Sequence, residues 1–145
     1  MEIKLDTTNS KENVMLRGMC TTSFYAADLD AARAWYSDLF GIEPYYVVPD
    51  GYLEWRIGDY EGEFGIVNAA YANPGQADSP AGAVIYWAVD DVEAALATLL
   101  EKGATLYQPV TVRGEGFITA AAVDPFGNIL GVMFNQHYLD GVASR

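Results

Sequence analysis

An internal repeat is the feature of this sequence that most constrains its fold. Residues 15–68 and residues 83–134 both read as a strand, a helix and three further strands. A shift of 63 residues places Asp28, at the start of the first helix, on Asp91 at the start of the second. Repeated units of this kind bury a shared core by packing on each other. The chain is therefore predicted to form two β-α-β-β-β modules.

A pair of glycines in the last strands of the two modules supports the repeat. A shift of 66 residues places "FGIV" on "LGVM", so that Gly65 falls on Gly131. Glycine weakens a strand interior because it has no side chain to pack. A glycine at this place therefore needs a structural or functional reason.

Both helices are indicated by apolar spacing and by the residues at their ends. In the first helix Leu29, Ala32 and Leu39 recur at helical spacing, with Trp35 or Tyr36 between them. Aspartate is a favoured N-terminal cap, and glycine often ends a helix in the left-handed conformation. The residues that mark the helix ends are Asp28 and Gly41 in the first helix, and Asp91, Lys102 in the last turn, and Gly103 in the second.

The predicted organisation is one domain preceded by a short leader. The leader is polar and mixed in charge, and a stretch rich in Pro, Gly, Ala and Ser separates the two modules. The predicted boundaries are a flexible leader over 1–13 and a domain over 14–145, divided into module one over 14–68, a linker over 69–81, module two over 82–138 and a short tail.

Composition excludes several classes of protein. A net charge of −12 opposes nucleic-acid binding, which needs a basic face, but is compatible with attracting a cationic small molecule. The chain has no apolar run of the length that a membrane span needs, and its N-terminus lacks the apolar core of a signal peptide. The single cysteine, Cys20, cannot form an internal disulfide and is predicted to be a buried, inert thiol. We therefore expect a cytoplasmic protein with no nucleic-acid or membrane partner.

Three segments follow one another along the duplicated framework, "DLDAARAWYSDLFGIEP", "YWAVDDVEAALATLLEKGA" and "DPFGNILG". Together they resemble the vicinal oxygen chelate superfamily, which contains glyoxalase I, extradiol dioxygenases, fosfomycin-resistance enzymes and bleomycin-binding resistance proteins. The resemblance covers roughly residues 15–138. It implies an α+β fold in which two βαβββ modules form a cupped eight-stranded mixed sheet, with the helices on the outer face. It also implies a homodimer.

Strand alternation predicts which side chains face the cup. Leu53, Trp55 and Ile57 are expected under the helix, which sends Tyr52, Glu54 and Arg56 into the cup, although a slip of one residue would reverse every assignment. The same alternation places Thr21, Ser23 and Tyr25 of the first strand, and Val84, Tyr86 and Ala88 of the fifth, toward the cup, with Cys20, Thr22, Phe24, Ala83, Ile85, Trp87 and Val89 on the helix side.

The metal site that the resemblance implies is missing from the sequence. Members of the superfamily that use a metal bind it through a His on a module's first strand and a Glu or His on its last strand, and these positions fall on Thr21, Val84, Gly65 and Gly131. Valine and glycine offer no ligand atom, and a lone threonine hydroxyl is a poor ligand. We therefore expect no metal and no cofactor, and we expect the two glycines to make room for a ligand in the cup floor.

His137 is the only histidine. A single histidine cannot build a typical transition-metal site. Its two remaining interpretations are a surface or interface residue and a general base at the rim of the pocket.

The predicted ligand pocket is aromatic with a few polar groups, as small-molecule sites usually are. Glu54 and Arg56 form its polar centre and are the tentative catalytic residues, unless the pair is simply exposed to solvent. The full predicted pocket is Thr21, Ser23, Tyr25, Tyr52, Glu54, Arg56, Glu63, Gly65, Tyr86, Gly131 and Met133.

The first functional hypothesis is a metal-independent protein that sequesters an aromatic or cationic small molecule. The second is a metal-independent lyase, isomerase or epimerase, in which Glu54 or Glu63 abstracts a proton and Arg56 or a tyrosine stabilises the anion. A metal-dependent glyoxalase or dioxygenase is third, because its ligands are missing, and a regulatory module is fourth.

Overall fold

The computed structural model describes residues 15, 17, 19–75, 77–78 and 80–145. Module one contains β1 (Thr21–Ala26), α1 (Leu29–Phe40), β2 (Tyr46–Val48), β3 (Tyr52–Ile57) and β4 (Gly62–Asn68). Module two contains β5 (Ile85–Ala88), α2 (Val92–Glu101), β6 (Thr105–Gly114), β7 (Phe117–Val123) and β8 (Ile129–Asn135). A 3₁₀ turn (Ala69–Tyr71) follows module one, and a helix α3 (Gln136–Ala143) follows module two.

The eight strands form two mixed sheets of four, with the same strand order in each module. The orders are β1-β4-β3-β2 and β5-β8-β7-β6. In both sheets the first strand is parallel to the last strand of its module, and the remaining pairs are antiparallel. The predicted α+β fold of two βαβββ modules is therefore confirmed.

The core lies on the helix-covered faces of the sheets. Trp55 and Tyr36 are fully buried, and Leu53 and Phe24 nearly so. The opposite face of each sheet, called the cup face below, carries the alternate side chains. The burial of Leu53 and Trp55 confirms the predicted register of β3 and excludes the slip of one residue.

The predicted helix caps are present. Asp28 accepts a hydrogen bond from the backbone N–H of Ala31, and Asp91 accepts the equivalent bond from Ala94, both at 3.0 Å. Gly41 ends α1 in the left-handed region at φ 76°. Lys102 is the C-terminal cap of α2 and not part of its last turn, and its ammonium group pairs with Asp38 of α1.

The turn "DPFGN" joins the two modules. The buried carboxylate of Asp124 accepts hydrogen bonds from the hydroxyl of Tyr36 on α1 and from the backbone N–H groups of Phe126 (2.9 Å) and Asn128 (2.8 Å). The Asn128 side chain accepts from the backbone N–H of Tyr25 at 3.1 Å and donates to its carbonyl at 2.8 Å. This recognisable motif therefore has a structural role, because it fixes the edge of β1 and the helix α1 of the other module.

Other sequence expectations have mixed outcomes. The predicted leader lies outside the described residues. Cys20 precedes β1 and is exposed, so the predicted buried thiol is wrong. The turn between β6 and β7 is a hairpin. The tail forms α3, which the sequence analysis did not predict. None of the helices in the described part of the chain has the length and apolarity to cross a membrane.

Candidate functional site

The cup face of module one gathers all of its predicted pocket residues on neighbouring positions of three strands. Strand β4 pairs with β1 on one side and with β3 on the other. Each residue of β4 in these pairs therefore lies between one residue of β1 and one residue of β3. The three rows that result are Thr21–Glu63–Arg56, Ser23–Gly65–Glu54 and Tyr25–Val67–Tyr52. The prediction that these side chains share one face of the sheet is therefore confirmed.

Glu54 is the centre of this surface. Its carboxylate accepts a hydrogen bond from the Tyr52 hydroxyl at 2.7 Å and another from the Tyr45 hydroxyl. The ring of Tyr46 lies 6.3 Å from that of Tyr52, centroid to centroid. Tyr45 and Tyr46 are about half exposed. The result is a carboxylate held between aromatic rings and open to a ligand.

A second carboxylate, that of Glu63, lies on the next strand. It accepts a hydrogen bond from the Thr21 hydroxyl at 2.8 Å, and its other oxygen is 3.9 Å from the guanidinium of Arg56. The central carbon of the Arg56 guanidinium lies 5.0 Å from the centroid of the Tyr45 ring. One arginine therefore faces two carboxylates, which leaves the cluster with a net negative charge.

The electrostatics of this cluster follow from the crowding of its acids. Burial raises the pKa of the Glu54 carboxyl, the charge of Glu63 raises it further, and Arg56 opposes the rise. Burial, and then Glu63, also raise the pKa of the Tyr52 phenol, which keeps this hydroxyl protonated as a donor. A cationic ligand would offset the repulsion between the two carboxylates.

The structure explains the glycine in β4. A Cβ atom placed on Gly65 would lie 2.5 Å from Cε1 of Tyr52, and closer still to its hydroxyl oxygen. The tyrosine therefore fills the space that a side chain at position 65 would occupy. The expectation that Gly65 leaves room for a ligand is wrong, because the room is taken by a ring of the chain itself.

Gly131 has the same explanation from a different strand. A Cβ atom there would lie 2.6 Å from Cδ1 of Tyr86 and 2.9 Å from the backbone carbonyl of Ile85. Gly131 pairs with Tyr86 across the sheet, whereas Tyr52 reaches Gly65 from a diagonal position. The two glycines are related by the repeat, but the tyrosines that cover them are not.

These positions do not fit a divalent metal ion in the manner that the resemblance implies. Both last-strand positions lack a side chain and are covered by phenol rings. Thr21, a first-strand position, already donates to Glu63. Among the described residues, no three His, Cys, Asp or Glu side chains come close enough together to hold a metal ion.

The remaining predicted pocket residues lie on module two and at the junction between modules. Tyr86 and Met133 are on the cup face of the second sheet. Tyr86 and Glu63 line a common cleft, whereas Ser23 and Tyr25 line another that is bounded by the linker and the "DPFGN" turn. His137 is exposed on α3 and lines neither cleft.

Sequence reasoning placed only Glu63 and Tyr86 of this cleft in the predicted pocket. The residues it missed include Asp59 and Tyr60 in the turn between β3 and β4, and Tyr138 on α3. The turn was read only as a connection and the helix was not predicted, so the signal was limited to the high tyrosine content. Trp55 is fully buried in the core and not in the cup, as the alternation in β3 predicted.

Comparison with known proteins identifies related sequences and folds. The family model described as Glyoxalase/Bleomycin resistance protein/Dioxygenase superfamily matches residues 18–132. None of the curated proteins matches the chain.

Several solved structures share the fold. A glyoxalase-related enzyme from Fulvimarina pelagi has a TM-score of 0.67 at 18% identity, over 83% of this chain and 90% of that one. A lactoylglutathione lyase from Agrobacterium tumefaciens has a TM-score of 0.64 at 20% identity, over 83% and 96%. A glyoxalase/bleomycin resistance protein from Catenulispora acidiphila has a TM-score of 0.55 at 22% identity, over 78% and 94%. At these identities the likeness concerns the fold alone.

Proposed function

The chain belongs to the glyoxalase/bleomycin resistance protein/dioxygenase superfamily, and on that premise we propose that it binds an aromatic cation on its cup face without a metal of the family type. The observation that carries this proposal is the environment of Glu54, whose carboxylate is held by the hydroxyls of Tyr45 and Tyr52. The function is that of a binding protein that sequesters its ligand.

Three features of the surface support a cationic aromatic ligand. Tyrosine rings offer flat apolar faces for stacking, and their faces attract cations. The guanidinium of Arg56 lies over the Tyr45 ring, so this aromatic surface is already in contact with a cation. The carboxylates of Glu54 and Glu63 outnumber the single arginine that faces them, and the net charge of −12 adds a long-range attraction.

The same contacts favour binding over catalysis. A general base must present an oxygen to the proton that it abstracts. One carboxylate oxygen of Glu54 accepts from Tyr52 and the other accepts from Tyr45. These contacts hold the carboxylate as a fixed charge, which is the requirement of a binding site.

The second candidate is a lyase, isomerase or epimerase that uses Glu54 as its base. The rise in the pKa of Glu54 supports it, since a base works best when its pKa is near the working pH. The two functions differ in the fate of the ligand. Recovery of unchanged ligand after long incubation supports sequestration, whereas turnover that Glu54→Gln abolishes supports the enzyme.

The experiment for the binding proposal is a fluorescence titration with proflavine, a planar aromatic cation, using the wild-type protein and Glu54→Gln. Acridine, under conditions where it is uncharged, is the control for the shape of the ligand. Weaker binding of proflavine to the variant, with no change for acridine, supports the proposal.

We also propose that the protein is a homodimer. Large apolar side chains are exposed on the edge strands of both sheets, among them Val47 of β2 and Leu106 and Val112 of β6. The strands β2 and β6 occupy equivalent places in the two modules. A two-fold axis that packs β2 of one copy against β6 of the other would therefore bury the exposed apolar side chains of both strands. Light scattering after size-exclusion chromatography tests this assembly. The expected cytoplasmic location stays a prediction.

A further inference from the structure

A cleft at the junction of the two modules lies beside the C-terminal helix. Its volume is about 270 Å³. It is bounded by the β3–β4 turn, by β5 and by α3. Its lining includes two carboxylates and several aromatic rings, from Asp59, Tyr60, Glu63, Tyr86, Trp87 and Tyr138. The volume is just below the roughly 300–1,000 Å³ of most ligand pockets, so the cleft suits a small ligand.

Aromatic rings from both modules meet at this cleft. The rings of Tyr60 and Tyr138 pack edge to face, with centroids 5.6 Å apart and an interplanar angle of 68°. The hydroxyl of Tyr138 donates to the Asp59 carboxylate at 3.0 Å, which ties α3 to the β3–β4 turn. Burial and this hydrogen bond raise the pKa of Tyr138, so the phenol stays neutral and can act as a donor.

The charge of the lining is negative. Asp59 and Glu63 are its two carboxylates, and none of the described residues that line it is a lysine or an arginine. Glu63 is partly compensated by Arg56, at 3.9 Å, from outside the cleft. The hydrogen-bond partner of Asp59 is the neutral hydroxyl of Tyr138.

A side chain of the protein itself shows what this lining attracts. The guanidinium carbon of Arg145, the last residue, lies 4.2 Å from the centroid of the Tyr60 ring. This distance is well within the range of a cation–π interaction. One ring of the cleft is therefore already in contact with a cation.

We propose that this cleft binds a small organic cation, an ammonium group attached to an apolar body, and that Arg145 competes with it for the Tyr60 ring. The ammonium group lies near the Asp59 carboxylate and against the Tyr60 ring, in the place that the Arg145 guanidinium takes, and the apolar body extends toward Tyr86 and Trp87. The site is separate from the Glu54 surface, with which it shares only Glu63, so it goes beyond the function proposed above.

The experiment is a calorimetric titration of the full chain with benzyltrimethylammonium, and with benzyl alcohol as the uncharged control. Asp59→Asn should weaken binding of the cation roughly two- to fivefold, the range expected for one partly exposed charge. Glu61→Gln removes a charge from the same turn outside the lining, and it should leave affinity unchanged. Arg145→Gln should strengthen binding by a similar factor, because it uncovers the Tyr60 ring.

Three results would overturn the proposal. They are equal affinity for benzyl alcohol and the ammonium compound, equal losses in Asp59→Asn and Glu61→Gln, and weaker binding in Arg145→Gln. Glu54→Gln separates this site from the cup face, since it should weaken proflavine binding and leave benzyltrimethylammonium binding intact. Circular dichroism confirms that each exposed substitution leaves the fold unchanged.

Discussion

The phenol ring of Tyr52 lies where a side chain on Gly65 would stand, at a position where metal-using relatives are expected to carry a ligand to the ion. The same tyrosine donates its hydroxyl to Glu54 at 2.7 Å. The glycine at position 65 therefore has two consequences for the cup face. It leaves space for the Tyr52 ring, and the hydroxyl of that ring donates a hydrogen bond to the Glu54 carboxylate. The cup face at this place carries the hydrogen-bonded pair Tyr52 and Glu54.

Gly65→Ala should destabilise the protein by about 1–3 kcal/mol, because the added methyl group displaces the Tyr52 ring. In a Tyr52→Ala background the same change should cost far less. Chemical denaturation of the two single variants and the double variant gives the coupling energy.

Two glycines provide controls for this cycle. Gly62→Ala in the same strand should be nearly neutral, since its Cβ would meet only a carbonyl oxygen at 4.0 Å. Gly131→Ala should remain costly even with Tyr86→Ala, because the backbone carbonyl of Ile85 also obstructs it. Equal cost of Gly65→Ala with and without Tyr52 would contradict the account.

Alkaline pH should destabilise the protein through Tyr36. Burial raises its pKa well above the ordinary value, and the nearby Asp124 carboxylate adds to the rise. A group whose folded pKa is raised contributes stability that is complete below its unfolded pKa, about 10 for tyrosine, and is lost as pH rises further.

The measurement is the melting temperature across the alkaline range for wild type and Tyr36→Phe. The variant should be less stable near neutrality by about 1–2 kcal/mol, because it removes a buried hydrogen bond to a carboxylate. Its stability should then fall less steeply with rising pH than that of wild type. Tyr71→Phe, at an exposed residue, is the control, and parallel curves for wild type and Tyr36→Phe would refute the assignment.

Ser37→Ala should stabilise the protein. The Ser37 hydroxyl is buried in α1 and, among the described residues, has no hydrogen-bond partner. Alanine removes this uncompensated polar group and has the higher helix propensity, for a gain of about 0.5–1 kcal/mol. A denaturation midpoint below that of wild type would show that the hydroxyl has a partner in solution.

The sequence predicted the fold well because its signals are local. Apolar spacing, the caps at Asp28 and Asp91, and strict alternation in β3 each depend on a few consecutive residues. The rows of the cup face followed from that alternation once the strand order was known. Local signals and tertiary structure agree at these points.

The parts that could not be predicted depend on contacts between distant segments. Nothing near Gly131 in the sequence indicates that a ring from β5 covers it, and nothing near Tyr138 indicates that α3 docks on Asp59. The burial predicted for Cys20 was wrong because β1 begins at Thr21, the residue after it. The alternation of side chains along the strand therefore does not apply to Cys20. The role of Asn128 also required the structure, since its partner Tyr25 lies 103 residues away.

The most direct test of the central claim is a proflavine titration of chelator-treated protein, with wild type and Glu54→Gln compared side by side. The account predicts equal binding before and after chelation, and an affinity at least fivefold lower in the variant, about 1 kcal/mol. Binding that requires an added divalent metal, or an unchanged affinity in Glu54→Gln, would contradict the claim.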